Sequence, residues 1–156
     1  MKYHLAQVNI AVAKYDYDDP RFAGFVDNLD RVYALAESTP GFVWRHASVD
    51  GDPEAKEIFG EPRLIYNASM WESRTALAEF VYRNDHAGIL RQRADWFEPM
   101  SGPVFALWWQ SAGTVPGFVE ARHRLECLRV SGPTQDAFTF RNFFDAPVHR
   151  KEPVLG

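Results

Sequence analysis

Residues 4–13 read HLAQVNIAVA, a stretch without Gly or Pro in which Val8, Ile10 and Val12 recur with period two. That period belongs to a strand, with those three side chains on one face. The other face, Leu5, Gln7, Asn9, Ala11 and Ala13, is mixed rather than polar. A strand apolar on both sides is covered on both sides, which leaves Gln7 and Asn9 as a polar notch in a covered surface. An amide buried there without a partner costs about 1–3 kcal/mol, so the notch needs partners from the protein or from a ligand.

Working outward, Asp18-Asp19 before Pro20 supplies a helix cap and a first-turn proline, and Phe22, Phe25, Val26, Leu29, Val32, Tyr33 and Ala36 follow at helical spacing. This first helix is expected to stop at Thr39-Pro40-Gly41. Phe42 to Val49 then reads as a second strand with Phe42, Trp44 and His46 on one face. Residues 50–62, DGDPEAKEIFGEP, read as a connection, and Arg63 to Trp71 as a third strand. Ser73 caps the next helix, whose apolar face is Ala76, Leu77, Phe80 and Val81. Asn84 or Asp85 opens a further helical segment carrying Ile89, Leu90, Ala94 and Phe97. Residues 104–110, VFALWWQ, form a fourth strand with apolar residues on both faces.

The order is β-α-β-β-α-β, which predicts an α+β, ferredoxin-like antiparallel sheet with its helices on one face. Because the strands are apolar on both sides, a second copy is expected on the free face, giving a homodimeric α/β barrel. Thr114 to Ser131 reads as a docked helix with Val115, Phe118, Val119, Leu125 and Leu128 on its apolar stripe. Ala137 to Phe144 is a short strand or an extended arm. The division is therefore a ferredoxin-like domain over 1–113 and an extension over 114–156 packed on it.

Composition narrows the function. With a net charge of −4 and 17 scattered Lys and Arg among 156 residues, the chain lacks the basic stripe of a nucleic-acid binder. One Cys, Cys127, permits no internal disulfide and no Cys-rich metal site, and fits a reducing compartment. No apolar run reaches membrane-span length and no signal-peptide pattern opens the sequence, so a cytoplasmic protein without membrane contact is expected. Aromatic residues reach 15%, a surplus that fits a ligand pocket or an oligomer interface.

Several runs carry a resemblance: Leu5-Ala6-Gln7-Val8-Asn9, Asp19-Pro20-Arg21, Ser38 through Arg45, Trp71-Glu72-Ser73 and Phe80-Val81-Tyr82-Arg83. His86-Ala87, Trp96 through Met100, Leu107-Trp108-Trp109, Gly132-Pro133-Thr134 and Ala137 through Phe140 continue it. Together they resemble an uncharacterised bacterial family of the dimeric α/β-barrel superfamily. More distantly, Trp71-Glu72-Ser73 leading into a helix is similar to antibiotic-biosynthesis and haem-degrading monooxygenases. The resemblance implies a small aromatic or polyketide-like substrate, or haem, in a cleft between sheet and helices. It also implies that Asn9 and His86 are working residues, while Phe80 stands where the haem-degrading branch carries Trp.

The candidate site is thus Asn9 and His86 as catalytic residues, with Gln7, Trp71, Phe80 and Arg93 contacting a small-molecule ligand. Bland readings stand beside each. His86 at a helix start also suits a backbone-bonding role, strand tryptophans such as Trp44, Trp71 and Trp108 often fill a core, and Arg93 often forms an ion pair. His46, alone on a strand, is expected to be structural. No His-x-His, His-x-x-x-His or Cys pair supports a metal, and no G-x-S-x-G elbow or P-loop is present. Two functions follow. One is a cofactor-independent, monooxygenase-like enzyme in which Asn9 orients a substrate oxygen and His86 moves a proton. The other is a non-catalytic dimer that binds haem or another planar ligand, with His86 as the candidate axial ligand.

Overall fold

The computed structural model describes residues 2–49, 51–85 and 93–147. His86, Ile89 and Leu90, to which a helical segment was assigned above, lie outside them. The chain runs through β1 (Tyr3–Val12), a 3-10 turn (Pro20–Phe22), α1 (Ala23–Val26), α2 (Leu29–Ser38), β2 (Phe42–Arg45) and α3 (Pro53–Phe59). It continues through β3 (Leu64–Trp71), α4 (Arg74–Asp85), α5 (Arg93–Trp96), β4 (Phe105–Ser111) and α6 (Phe118–Ser131). The strands form one four-stranded antiparallel sheet in the order β2-β3-β1-β4. HLAQVNIAVA therefore sits at the centre, with Asn9 opposite Asn67 on one side and Phe105 on the other. Gln7 lies opposite Ser69 and Leu107.

Side-chain alternation sends the two halves of β1 into different cores. Ala6, Val8 and Ile10 pack with Met70 and Trp108 beneath α3 and α6, which contribute Ala55, Ala121, Leu125 and Leu128. Leu5 faces the other way and packs with Trp71, with Ala36 of α2 and with Ala76 and Leu77 of α4. Helices thus lie on both faces of the sheet rather than on one. The face assigned to a second copy is covered by the chain's own α3 and α6, and Ala6, Val8 and Trp108 are fully buried within a single chain. The argument for a face-to-face dimer loses its premise, because no wet apolar sheet remains there.

After α6 the chain turns at Thr134–Ala137 and passes over the open edge of β4. Leu107 and Phe138 exchange two backbone hydrogen bonds of 2.8 Å. Ala137 belongs to one core and Phe138 to the other, so the arm clasps the sheet edge. An unpaired edge is a template for wrong pairing, and the clasp removes it at this position. Phe143 and Phe144 pack on Phe138, and Phe140 stacks on Phe105.

Local chemistry explains the other departures. The expected first helix is broken: Asp19 Oδ1 accepts from Arg21 N at 2.8 Å to start the 3-10 turn, and Asn28 N donates to Phe25 O in the same tight pattern between α1 and α2. The second strand ends at Arg45, not Val49, since His46 and Ser48 turn their side chains to Asp52. A register shift between Phe42 and Trp44 puts Phe42 against Trp71 on one face and Trp44 on the other. The connection over 50–62 contains α3, with Pro53 in its first turn and Gly60 (φ +70°) ending it. Finally, α6 starts at Phe118 because Pro116-Gly117 precede it, and Val115 and Val119, assigned to its apolar stripe, are 56% and 68% exposed. Its buried stripe is Ala121, Leu125 and Leu128, with Phe118 partly buried beside them.

Candidate functional site

The odd face of β1 and β3 forms the floor of a cleft of about 280 Å³ roofed by α1, α2 and α4 and closed at one side by α5. Helical spacing sets the roof: Leu77, Phe80, Val81 and Asn84 form one stripe of α4, and Leu29, Val32 and Tyr33 one stripe of α2. Gln7, Asn9, Phe80 and Arg93, four of the expected site residues, line this single cleft. His86 lies outside the described residues. Trp71 does not line the cleft. It is fully buried one layer behind, its indole stacked on Phe80 with ring centroids 5.1 Å apart. Its N–H needs an acceptor there, and the nearby serine provides one.

That acceptor ties the floor together. Ser69 Oγ accepts from Trp71 Nε1 at 2.8 Å and from Gln7 Nε2 at 2.7 Å, and Gln7 Nε2 also donates to Asn67 Oδ1 at 2.7 Å. Both hydrogens of the Gln7 amide nitrogen are thus used, which fixes the side chain and leaves its carbonyl oxygen as an acceptor. The Asn67 nitrogen is left as a donor by the same logic. Asn9, one rung along, is half-buried and its side-chain amide has no hydrogen-bond partner among the described residues. Asn84 Oδ1 is buried and also unpartnered. An orphan of this kind costs about 1–3 kcal/mol unless something outside the protein completes it.

Electrically the cleft is nearly neutral. Its described lining contains no carboxylate and no imidazole, and its one formal charge is Arg93, whose guanidinium lies 5.9 Å over the Phe97 ring. The ion pair that Arg93 was weighed against is not formed among the described residues. Tyr33 on the roof carries the Arg45 guanidinium 4.0 Å over its ring, and burial holds its phenol above the ordinary range. No group of three or more potential metal ligands gathers among the described residues. His46 is structural, as expected: Nε2 lies 3.0 Å from Asp52 Oδ1, and the ring packs on Tyr66 and Phe118. Trp44 and Trp108 belong to the core of the opposite face.

Sequence reasoning missed Asn67 and Asn84. Asn67 stands in LIYNASMW, where its alternation with Tyr66 and Ala68 already assigned it to the face of Ser69, but only the β1–β3 register sets it beside Asn9. The sequence predicts a helix start at Asn84 or Asp85; Asn84 instead occupies the last turn of α4, in register with Phe80.

The architecture defines a class: a small α+β domain with a four-stranded antiparallel sheet and an amide-floored, aromatic-walled cleft under its helices. The chain belongs to the family described as Domain of unknown function (DUF3291), which matches residues 4–153. No curated protein matches it. Among solved structures it is similar to NE2512, a protein of unknown function from Nitrosomonas europaea, at 16% identity. That similarity covers 74% of this chain and 96% of the other, with a TM-score of 0.49. No described helix is long and apolar enough to cross a membrane.

Proposed function

We propose that the cleft binds one small planar aromatic molecule bearing hydroxyl or carbonyl groups. The observation that carries this reading is the buried, unpartnered Oδ1 of Asn84 facing, with the half-buried amide of Asn9, a cavity otherwise walled by Phe25, Phe80, Phe97 and Phe105. A few fixed polar groups in an aromatic pocket orient a ligand. Gln7 and Asn67 offer a further acceptor and donor, and Phe80, braced by Trp71, offers a flat stacking wall. At about 280 Å³ the cavity lies at the small end of ligand sites, which are commonly about 300–1,000 Å³. That favours a ligand of one or two fused rings over haem.

A second reading makes the same site a cofactor-independent, monooxygenase-like enzyme acting on an aromatic or polyketide-like molecule. The uncommitted Asn9 amide on the cleft floor favours it, since it is placed to hold a substrate oxygen, and His86 would move the proton. The binding reading stands first because the described lining supplies no carboxylate or imidazole to move the proton. The reading of a cytoplasmic protein goes with both. A homodimer would use surfaces other than the face taken by α3 and α6, and sedimentation velocity at micromolar concentration reports it.

The test is a calorimetric and thermal-shift screen of hydroxylated naphthalenes, quinols and haem against the whole chain. A ligand of the native state raises its melting temperature by mass action. Naphthol or a close analogue is expected to bind, and Asn9→Ala and Asn84→Ala are each expected to weaken it by about tenfold, the equivalent of one good hydrogen bond. Binding that ignores both substitutions, or haem alone giving its intense absorbance band, would overturn this assignment. Turnover of a quinol that stops in His86→Ala moves the assignment to the enzyme.

A further inference from the structure

The roof of the amide cleft has two sides. Phe25, Leu29, Tyr33 and Ile65 line that cleft and also line a second cavity of about 470 Å³ that runs on toward the loop before α3. The far end of this second cavity is built from Ser48, Gly51, Asp52 and Lys56. β2 stops at Arg45, so no strand covers the first half of β3 there, and the space stays open between the sheet edge and α3.

Its charges are unequally committed. Asp16 is held by Arg63, with Nε 3.0 Å from Oδ1, and Arg63 also donates to Lys14 O. Asp52 is fully engaged: His46 Nε2 and Val49 N lie at 3.0 and 3.3 Å from Oδ1, and Ser48 Oγ donates to Oδ2 at 2.8 Å. These bonds hold Asp52 in a left-handed backbone conformation, φ +56°, a strained one for a residue with a side chain. Lys56 is half-buried and has no ion-pair partner among the described residues. Its ammonium sits over the loop, where a Cβ at Gly51 would meet Nζ at 3.1 Å. The one uncommitted charge in the described lining is therefore positive.

We infer that the two cavities are subsites of one cleft and that the ligand is an aromatic carboxylate, its ring in the amide-floored part and its acidic tail ending at Lys56. This rests on the aromatic ligand proposed for the first cavity. Phe25, Leu29 and Tyr33 line both cavities and form the waist between them, which the linker from ring to tail crosses. A tail carboxylate meets a cation whose competing carboxylates already have partners, and Tyr33, which lines both cavities, carries a hydroxyl hydrogen on the way.

Three probes separate the possibilities by calorimetry on the whole chain: naphthol, naphthyloxybutanoate and naphthyloxybutanamide. In the unaltered protein the acid is expected to bind about tenfold more tightly than the amide, as a half-desolvated charge pair allows. Lys56→Met should bring that ratio close to one and leave naphthol affinity unchanged. Leu29→Trp, which fills the waist, should abolish the advantage of the acid by a different route. If the ratio survives Lys56→Met, or collapses only in Arg93→Met, the tail does not end at Lys56 and the inference is wrong. Naphthol failing to bind at all overturns the aromatic reading of the first cavity, and this inference falls with it.

Discussion

Replacing Ser69 by Ala removes a single oxygen on which the cleft floor depends. Its hydroxyl is 4% exposed by residue and accepts two hydrogen bonds, from Trp71 Nε1 at 2.8 Å and Gln7 Nε2 at 2.7 Å. Trp71 is fully buried, so its indole N–H loses its only acceptor and carries the desolvation penalty of an orphan donor, about 1–3 kcal/mol. Gln7 keeps Asn67 and loses one of two bonds, about 0.5–1.5 kcal/mol more. The expected loss of stability is about 1.5–4.5 kcal/mol, which at a urea slope of about 2 kcal/mol per molar moves the midpoint by about 1–2 M. The same substitution made in a Trp71→Phe background should cost at least about 1 kcal/mol less, because Phe has no N–H to strand. Naphthol affinity should fall too, since Gln7 is no longer braced. A cost below about 0.5 kcal/mol, or an equal cost in both backgrounds, would show that Ser69 does not organise this floor.

Phe138→Ala tests whether the C-terminal arm belongs to the cooperative core: a fully buried ring contacting Phe143 and Phe144 should cost about 3–5 kcal/mol on truncation, with a melting temperature lower by roughly 10 °C. A change under about 1 kcal/mol would mark the arm as a loose appendage. Tyr66 is 6% exposed with an unpartnered hydroxyl, so Tyr66→Phe should raise stability by about 1 kcal/mol in urea denaturation. Burial, aided by Asp52 and Glu120, pushes the Tyr66 phenol up. The stability this neutral phenol contributes is complete below the ordinary phenol value near 10 and is lost as pH rises from there toward the raised folded value. Alkaline destabilisation should therefore be shallower in Tyr66→Phe, and an unchanged alkaline limb in pH-dependent melting would refute it.

The strands were legible because period two leaves a mark that survives any tertiary arrangement. HLAQVNIAVA placed Gln7 and Asn9 on one face, apart from Val8 and Ile10, and the sheet keeps that division. What covers each face was not legible. An apolar strand face says only that something packs on it, and the sequence cannot distinguish a second copy from α3 and α6 of the same chain. α3 itself was hidden by composition, since Pro53 and Gly60 read as breakers in a row and act instead as the two ends of a short helix. The error on Val119 has a similar cause: Phe118 and Val119 both fit a helical stripe, and the depth of the groove on the sheet selects Phe118 with Ala121, Leu125 and Leu128. Of the cleft-lining residues, Gln7, Asn9, Phe80 and Arg93 were singled out from residue type and resemblance, while Asn67 joins them only through cross-strand register. Trp71 was expected on the wall because planar ligands favour aromatic walls; its alternation with Met70 places it on the cleft side, but its ring is buried behind the stacked Phe80.

The position of β1 also governs how the molecule is made. The central strand precedes the rest of the sheet in sequence, yet its neighbours are residues 64–71 and 105–111, and the clasp on β4 is made by Phe138. Leu5, Val8 and Ile10 gain their first neighbour only when residues 64–71 exist, and Leu5 and Val8 their second only with residues 105–111. Contacts so distant in sequence slow folding, because the intervening loop must be ordered before any pairing rewards it. During that interval an apolar strand waits unpaired, the kind of segment that aggregates or engages chaperones. A break or premature stop before residue 105 leaves a chain whose central strand still has one edge without its partner.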